Sequence, residues 1–346
     1  MTTVMNAVPT PARTGTPGAR RFVDRVLRVR ELALLAVLAA LIAGTELGSH
    51  RFLSPQGVKD LLLNAAIGVI VAAGQATVVI TRNVDLSVGS TLGIAAFAAG
   101  DHLQHGGSPA AAVTIAVAVG AGVGVLNGVL VGFGRVPSLV VTLGTLYVVR
   151  GLDSIWIGPR QIVAHDLPAG YVRLGHGGPF PLPYLAVVAV AVLLVLGFSL
   201  HWYRGGRELY AIGSHPQAAR LVGISVRRRV TVAYVVCGAL AGLAGALYLA
   251  RFGNVDSGTG SGYELTVVSA VVVGGVAFTG GSGSVYGAAL GAVLLTTINS
   301  ALPSLGVASS WEGAIDGFLL LAAIAVDRLV ALRVAAVLRR GSVRHG

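Results

Sequence analysis

Ten apolar runs divide the chain, at roughly 31–48, 58–80, 84–100, 109–132, 136–157, 181–200, 230–250, 263–278, 284–300 and 312–334. A helix that crosses ~30 Å of hydrocarbon takes ~20 residues, and most of the runs approach that length. The third, fifth and eighth mix polar residues among the apolar ones. The pattern predicts an all-α, polytopic transmembrane helix bundle of about ten spans over residues 31–334. What remains is a basic N-terminal tail, 1–30, a basic C-terminal tail, 335–346, and one long polar interruption at 201–229. The N-terminal segment carries Pro9, Pro11 and Pro17 and has no short apolar stretch with a small-residue cleavage site. It therefore reads as a disordered, uncleaved tail rather than a signal peptide.

Charge orients the spans. With the N-terminus inside and sides alternating, all but six of the 25 Lys and Arg residues fall on the cytoplasmic side. Arg51, Lys59, Arg160, Arg173 and Arg251 lie outside, and Arg150 lies within the fifth run. That asymmetry satisfies the positive-inside rule with both termini cytoplasmic. Only 11% of residues are charged, against about 25% in soluble domains, and mean hydropathy is +0.80. The chain belongs in a bilayer, as a multi-pass protein. Its net charge of +11 follows from topology, and with 6% aromatic residues nothing marks a nucleic-acid surface. The one cysteine, Cys237, sits in an apolar run and reads as a small buried residue; no Cys/His spacing suits a metal.

Small residues say how the spans associate. Gly283, Gly287 and Gly291 recur every fourth position, as do Gly238 and Gly242. Glycine on one helix face lets two backbones approach closely, which drives association in lipid. A faint echo between Ser87–Gly93 and Gly281–Gly287 rests on Gly and Ser alone and leaves internal duplication undecided.

Candidate chemistry is sparse. A Walker-type phosphate loop needs Gly-Lys-Ser/Thr, and the single lysine, Lys59, stands between Val58 and Asp60. Any ATP must therefore be bound by another chain. No histidine pair or nucleophile elbow suggests catalysis. Asp85, with Ser87 in the same stretch, reads either as a cap for the following helix or as part of a polar translocation route. Thr142 and Thr145 share a helix face and either bond their own i−4 carbonyls or line that route. Gln75, Asn127 and Asn299 are uncharged amides suited to a sugar hydroxyl or a neighbouring helix.

The interruption carries the most information. His215–Ile224 reads HPQAARLVGI. Pro216 suits a first helical turn, Gln217–Leu221 favour helix, and Gly223 suits its end. This predicts a helix of two to three turns in a cytoplasmic loop, either a solvated connector or, as Leu221 and Ile224 favour, a docking element. The segment resembles the coupling motif of ATP-binding-cassette (ABC) importer permeases, Glu-Ala-Ala, three residues, Gly. Here it stands as Gln217-Ala218-Ala219, then Arg220, Leu221 and Val222, then Gly223. GRELYAIG from Gly206, DLSVGS from Asp85, PSLVVTLGTLYVVRGL from Pro137 and the stretch Gly262–Gly287 are similar to the ribose-type monosaccharide branch of that family, over roughly residues 58–330. Two positions depart from it. Gln217 replaces the usual Glu and removes a charge, and Thr81-Arg82-Asn83 replaces a Gly-Gly-Ile lead-in, as in rhamnose and autoinducer-2 permeases. The resemblance implies a permease of the bacterial plasma (inner) membrane that pairs with itself or a paralogue. It also implies an ABC ATPase subunit holding ATP and Mg, and an extracytoplasmic sugar-binding protein. Pro216–Leu221 and Gly223 would form the ATPase contact, with no cofactor on this chain.

Overall fold

A computed structural model describes residues 17–178, 182–308 and 310–343. The apolar runs become ten helices: α1 (Pro17–Ser49), α2 (Pro55–Ile80), α3 (Val88–Gln104), α4 (Pro109–Gly132), α5 (Ser138–Ile157), α7 (Tyr184–Trp202), α10 (Val226–Phe252), α11 (Tyr263–Val273), α12 (Val285–Ser304) and α13 (Trp311–Val343). Three short helices join them: α6 (Ala169–His176), α8 (Arg204–Ser214) and α9 (Pro216–Leu221). The fold is an all-α polytopic bundle. Among the described residues, seven helices are long and apolar enough to cross a membrane, and α11 is a shorter apolar helix.

Starts are written locally. Ser54, Ser108 and Ser284 cap α2, α4 and α12 by accepting a hydrogen bond from the backbone N–H three residues on, each satisfying a helix-end donor. Pro55 and Pro109 follow at the first helical position, where a missing N–H costs nothing. The tail expected to be disordered is helical from Pro17 onward, because arginine and leucine are good helix formers and nothing breaks the chain before Ser49. Residues 1–16 lie outside those described. At the other end, α13 passes the expected boundary at 334 and runs to Val343; residues 344–346 are not described.

The centre is α2, which is buried along most of its membrane-spanning length and surrounded by α7, α10, α11 and α12. Helices α4 and α10 form the closest pair. A Cβ added at Gly120, Gly124 or Gly128 of α4 would overlap the α10 backbone, and one at Gly238 or Gly242 would overlap α4. The small stripe thus extends from α10 onto α4, where Gly120, Gly124 and Gly128 recur every fourth residue. Gly287 and Gly291 serve the same purpose against Gly274 and Ala270. Gly283, expected on that helix face, lies before α12 at φ +114°, a turn conformation that only glycine adopts freely.

The third and eighth runs are not simple spans. Helix α11 has 11 residues, ~16 Å at 1.5 Å per residue. The segment before it, 253–262, turns back from the end of α10 and runs along α3. Ile162 bridges to Val255 and lies against Gly100, the Thr259 carbonyl lies against Gly93, and Gly260 lies against Gly89. Those contacts follow α3 for about 11 residues, another ~16 Å. Irregular segment and helix together match the ~30 Å of hydrocarbon that a full helix would cross. In the same way the irregular stretch 81–87 precedes α3, so the N-termini of α3 and α11 meet inside the bundle. The run at 263–278 therefore ends as helix at Val273, because Gly274 and Gly275 follow.

Candidate functional site

Irregular backbone at membrane depth survives only where protein satisfies its polar groups, and much of the buried polar chemistry has that task. Val84 N–H donates to Ser138 Oγ (3.3 Å), and Val84 C=O accepts from the Tyr234 hydroxyl (3.1 Å) and Thr142 Oγ1 (3.4 Å). Asp85 Oδ1 accepts from Ser87 N–H (2.9 Å) and Ser87 Oγ (2.6 Å), a turn that opens α3. Asn127 Nδ2 donates to Ser87 Oγ (2.9 Å), and Thr145 Oγ1 donates to Asn127 Oδ1 (2.7 Å). Five residues singled out as one possible route, Asp85, Ser87, Asn127, Thr142 and Thr145, are thus brought together. All are 0–6% exposed. Thr142 also bonds its own i−4 carbonyl, that of Ser138, at 2.9 Å. Gln75 is equally buried, with Oε1 3.5 Å from Cys237 Sγ. Asn299 stands apart on α12, in the wall of a 650 Å³ cavity at the opposite end of the bundle.

Sequence reasoning passed over a second polar cluster. On α5, Arg150 Nη1 donates to the Thr259 carbonyl (2.7 Å) and the Ser257 carbonyl (3.4 Å), and lies 3.9 Å from Asp153 Oδ2. Arg150 and Asp153 are three apart and so share a face; that spacing was the only available signal. Together they fasten the irregular segment ahead of α11.

At the basic end, the loop 201–229 is mostly helical. Helix α9 is shorter than the two to three turns expected, six residues, and it stops where Gly223 was expected to end it. Its start is closed by Pro216 and by His215 Nδ1, which accepts from Ala218 N–H at 3.3 Å. Its end closes with Gly223 at φ +82°, Ile224 N–H bonding Ala219 C=O (3.0 Å) and Gly223 N–H bonding Arg220 C=O (3.0 Å). This is the paired-bond stop that glycine provides. Ala219 faces inward at 4% exposed, while Leu221 and Val222 stand out at 89% and 73%. Gln217, Ala218 and Arg220 are exposed as well, and Pro216 is partly so.

Helix α8 is the element that the sequence reading missed, and it locks α9 to the bundle. The Arg82 guanidinium donates to the Gly213 carbonyl and to the Ser214 carbonyl (2.7 Å). Tyr210 OH donates to Gly283 C=O (3.1 Å), and Gly281 N–H to Ile80 C=O (2.9 Å). Arg82 holds φ +68°, which L-residues rarely adopt, and the carbonyls at the end of α8 hold it there. The α8–α9 unit therefore bears on two turns, 81–87 ahead of α3 and 274–284 ahead of α12.

Glu208 anchors α8 from the other side. Its carboxylate accepts from Arg204 Nε (2.7 Å) and Arg229 Nε (2.5 Å), and the Arg204 hydrogen bond, aided by Arg229, holds its pKa below the ordinary carboxylate value. A depressed pKa contributes stability that is present above the ordinary value and is lost as pH falls through the depressed one. Between about pH 5 and pH 3, where free carboxylates titrate, wild-type protein is expected to lose protection of α8 amides from hydrogen exchange. Glu208→Gln should show a smaller pH dependence there. Equal pH dependence in both proteins would show that Glu208 does not hold the helix.

These features define a class: a helical membrane protein with irregular segments at membrane depth and a rigid, apolar-tipped helix projecting from its basic end. The comparisons specify the family. Residues 57–324 match the model described as branched-chain amino acid transport system / permease component, and the chain belongs to that family. It is 34% identical over 302 residues to the autoinducer 2 import system permease protein of Enterobacter sp. (strain 638), covering 87% of this chain and 88% of that one. It is 32% identical over 316 residues to the ribose import permease protein of Escherichia coli (strain K12), covering 91% and 98%. No solved structure matches. The chain is a multi-pass protein of the inner membrane.

Proposed function

We propose that this chain is the transmembrane permease subunit of an ABC importer. It carries a rhamnose- or ribose-like monosaccharide, or autoinducer-2, into the cytoplasm, while a separate ATPase subunit binds ATP and Mg. An extracytoplasmic sugar-binding protein delivers the solute, and a second permease, identical or paralogous, completes the membrane unit. The observation that carries this reading is helix α9, held rigid at both ends and presenting Leu221 and Val222 to solvent. Apolar side chains so placed suit a cleft in a partner protein. Closure of paired ATPases on ATP would move α9 and, through α8, the two turns against which it packs. That is a two-state coupling through a rigid contact. One relative is named for ribose import and the other for autoinducer 2 import, which supports a sugar over the amino acid in the family's description.

The test is reconstitution with the partner ATPase and binding protein. Leu221→Glu changes an exposed side chain, and Gly223→Val forces a β-branched residue into φ +82°. Both are expected to lower ATP-driven uptake at least tenfold, with ATPase co-purification weakened or hydrolysis uncoupled from uptake. Unchanged coupled uptake in both variants would remove α9 from the coupling role. Uptake by this chain alone in ATP-free vesicles, collapsing with an ion gradient, would make it a secondary transporter instead.

A further inference from the structure

The 650 Å³ cavity lies within one protomer, between α2, α10, α11 and α12, at the end opposite α9. Its volume falls in the range of small-molecule sites, about 300–1,000 Å³. One wall is aromatic, with Tyr248, Phe252 and Tyr263; another carries Asn64, Thr296 and Asn299. Gly68 keeps the floor open, since a Cβ there would sit 3.4 Å from Thr296 Oγ1 and 3.5 Å from the Tyr263 hydroxyl. Among the described residues Asn299 Oδ1 and Ser49 Oγ have no hydrogen-bond partner, and both residues line the cavity. The amides of Asn64 and Asn299 and the Thr296 hydroxyl give this wall both donors and acceptors, the groups that a hydroxyl-bearing ligand needs.

Charge narrows the ligand. Asp60 and Arg251 are in the lining but are paired with each other at 2.7 Å, with Asn64 Oδ1 3.4 Å from Arg251 Nε. Arg51 also lines the cavity but is exposed. A zwitterionic amino acid would need a free carboxylate and a free cation at depth, and the lining has no unpaired carboxylate to offer. An uncharged ring with hydroxyls on its edge and C–H groups on its face matches both walls.

We propose that this cavity is a binding site for an uncharged, hydroxyl-rich solute of monosaccharide size, with Asn299 and Asn64 as its specificity-determining residues. The permease protomer then selects its solute itself, after the binding protein has released it. The physiological role of the site rests on the importer reading above, but binding can be measured without an ATPase.

The experiment uses the full chain in proteoliposomes, with Thr296→Cys in a Cys237→Ala background and a charged, membrane-impermeant thiol reagent as probe. The reagent is expected to label Cys at 296 from the side opposite α9. D-ribose, L-rhamnose or both should slow labelling at least tenfold, and leucine should not. Adding Asn299→Leu should cancel the protection while labelling without sugar continues, which shows that the fold persists. Three results would overturn the proposal: no labelling at 296 or at a Ser300→Cys variant, protection by leucine equal to that by sugars, or protection only by a fatty acid, which would mark a lipid cleft. ATP-driven uptake is measured separately on the reconstituted complex. Uptake without sugar protection removes the site alone, and protection without uptake keeps the site and removes the importer reading.

Discussion

Gly120→Leu is expected to prevent assembly of a folded bundle, whereas Gly122→Leu, two residues along the same helix, is expected to leave it intact. A Cβ at Gly120 would overlap the Gly238 carbonyl and crowd Gly242, while one at Gly122 meets nothing within 4 Å. The obstacle at Gly120 is backbone, which cannot swing aside as a side chain can, and even Gly120→Ala must push α4 away from α10. Overpacking a core costs about 1–3 kcal/mol and occasionally more, and Leu against a fixed backbone belongs at or above the top of that range. The loss compounds because the α4–α10 contact continues through Gly124 and Gly128, so separating the helices at one step opens the others. Close packing is also what holds membrane helices together, with no hydrophobic force between them. The measurement is the monodisperse fraction and thermal midpoint in mild detergent. Similar midpoints for the two leucine variants would mean that α4 and α10 are not in backbone contact.

The difference between Gly120 and Gly122 shows what a sequence can and cannot display. Residues 109–132 were legible as a span, and their bounds match α4, because apolarity and a Ser-Pro start are local properties. Which glycines face a neighbour depends on the partner helix, more than a hundred residues away. Helix α9 was legible for a related reason: Pro216, Ala218, Ala219 and Gly223 are all local signals of start, propensity and stop. Its neighbour α8 was not, since Gly205 and Gly206 weaken the helical signal, and α8 is fixed by contacts to Arg82 and Gly283 far along the chain. The same limit governs the polar groups. Asp85 was visible as a cap or a route, but its contact with Asn127, which in turn accepts from Thr145, forms only in the fold. The segment 253–262 reads as an ordinary Gly- and Ser-rich loop, and nothing in it announces that it turns back into the bundle.

That re-entrant segment makes Arg150 the most consequential single charge in the described spans. Arg150→Met is expected to destabilise the protein by about 3–5 kcal/mol, the cost of breaking a buried pair from one side. It would leave the Asp153 carboxylate, 0% exposed, with no hydrogen-bond donor and no counter-charge among the described residues. It would also orphan the carbonyls of Thr259 and Ser257. Asp153→Asn should be far milder, because Arg150 keeps both carbonyls. The double change Arg150→Met with Asp153→Leu should recover part of the loss, since no unpaired charge remains, yet fall short of wild type because the carbonyls of Thr259 and Ser257 stay orphaned. The expected order of thermal midpoints is therefore wild type, Asp153→Asn, the double variant, then Arg150→Met. Hydrogen exchange at 257–263 should rise in both variants that lack Arg150 and not in Asp153→Asn. If Arg150→Met proved as stable as Asp153→Asn, the segment would be held by Gly89 and Gly93 packing alone, and the arginine would be incidental to how the eighth span crosses the membrane.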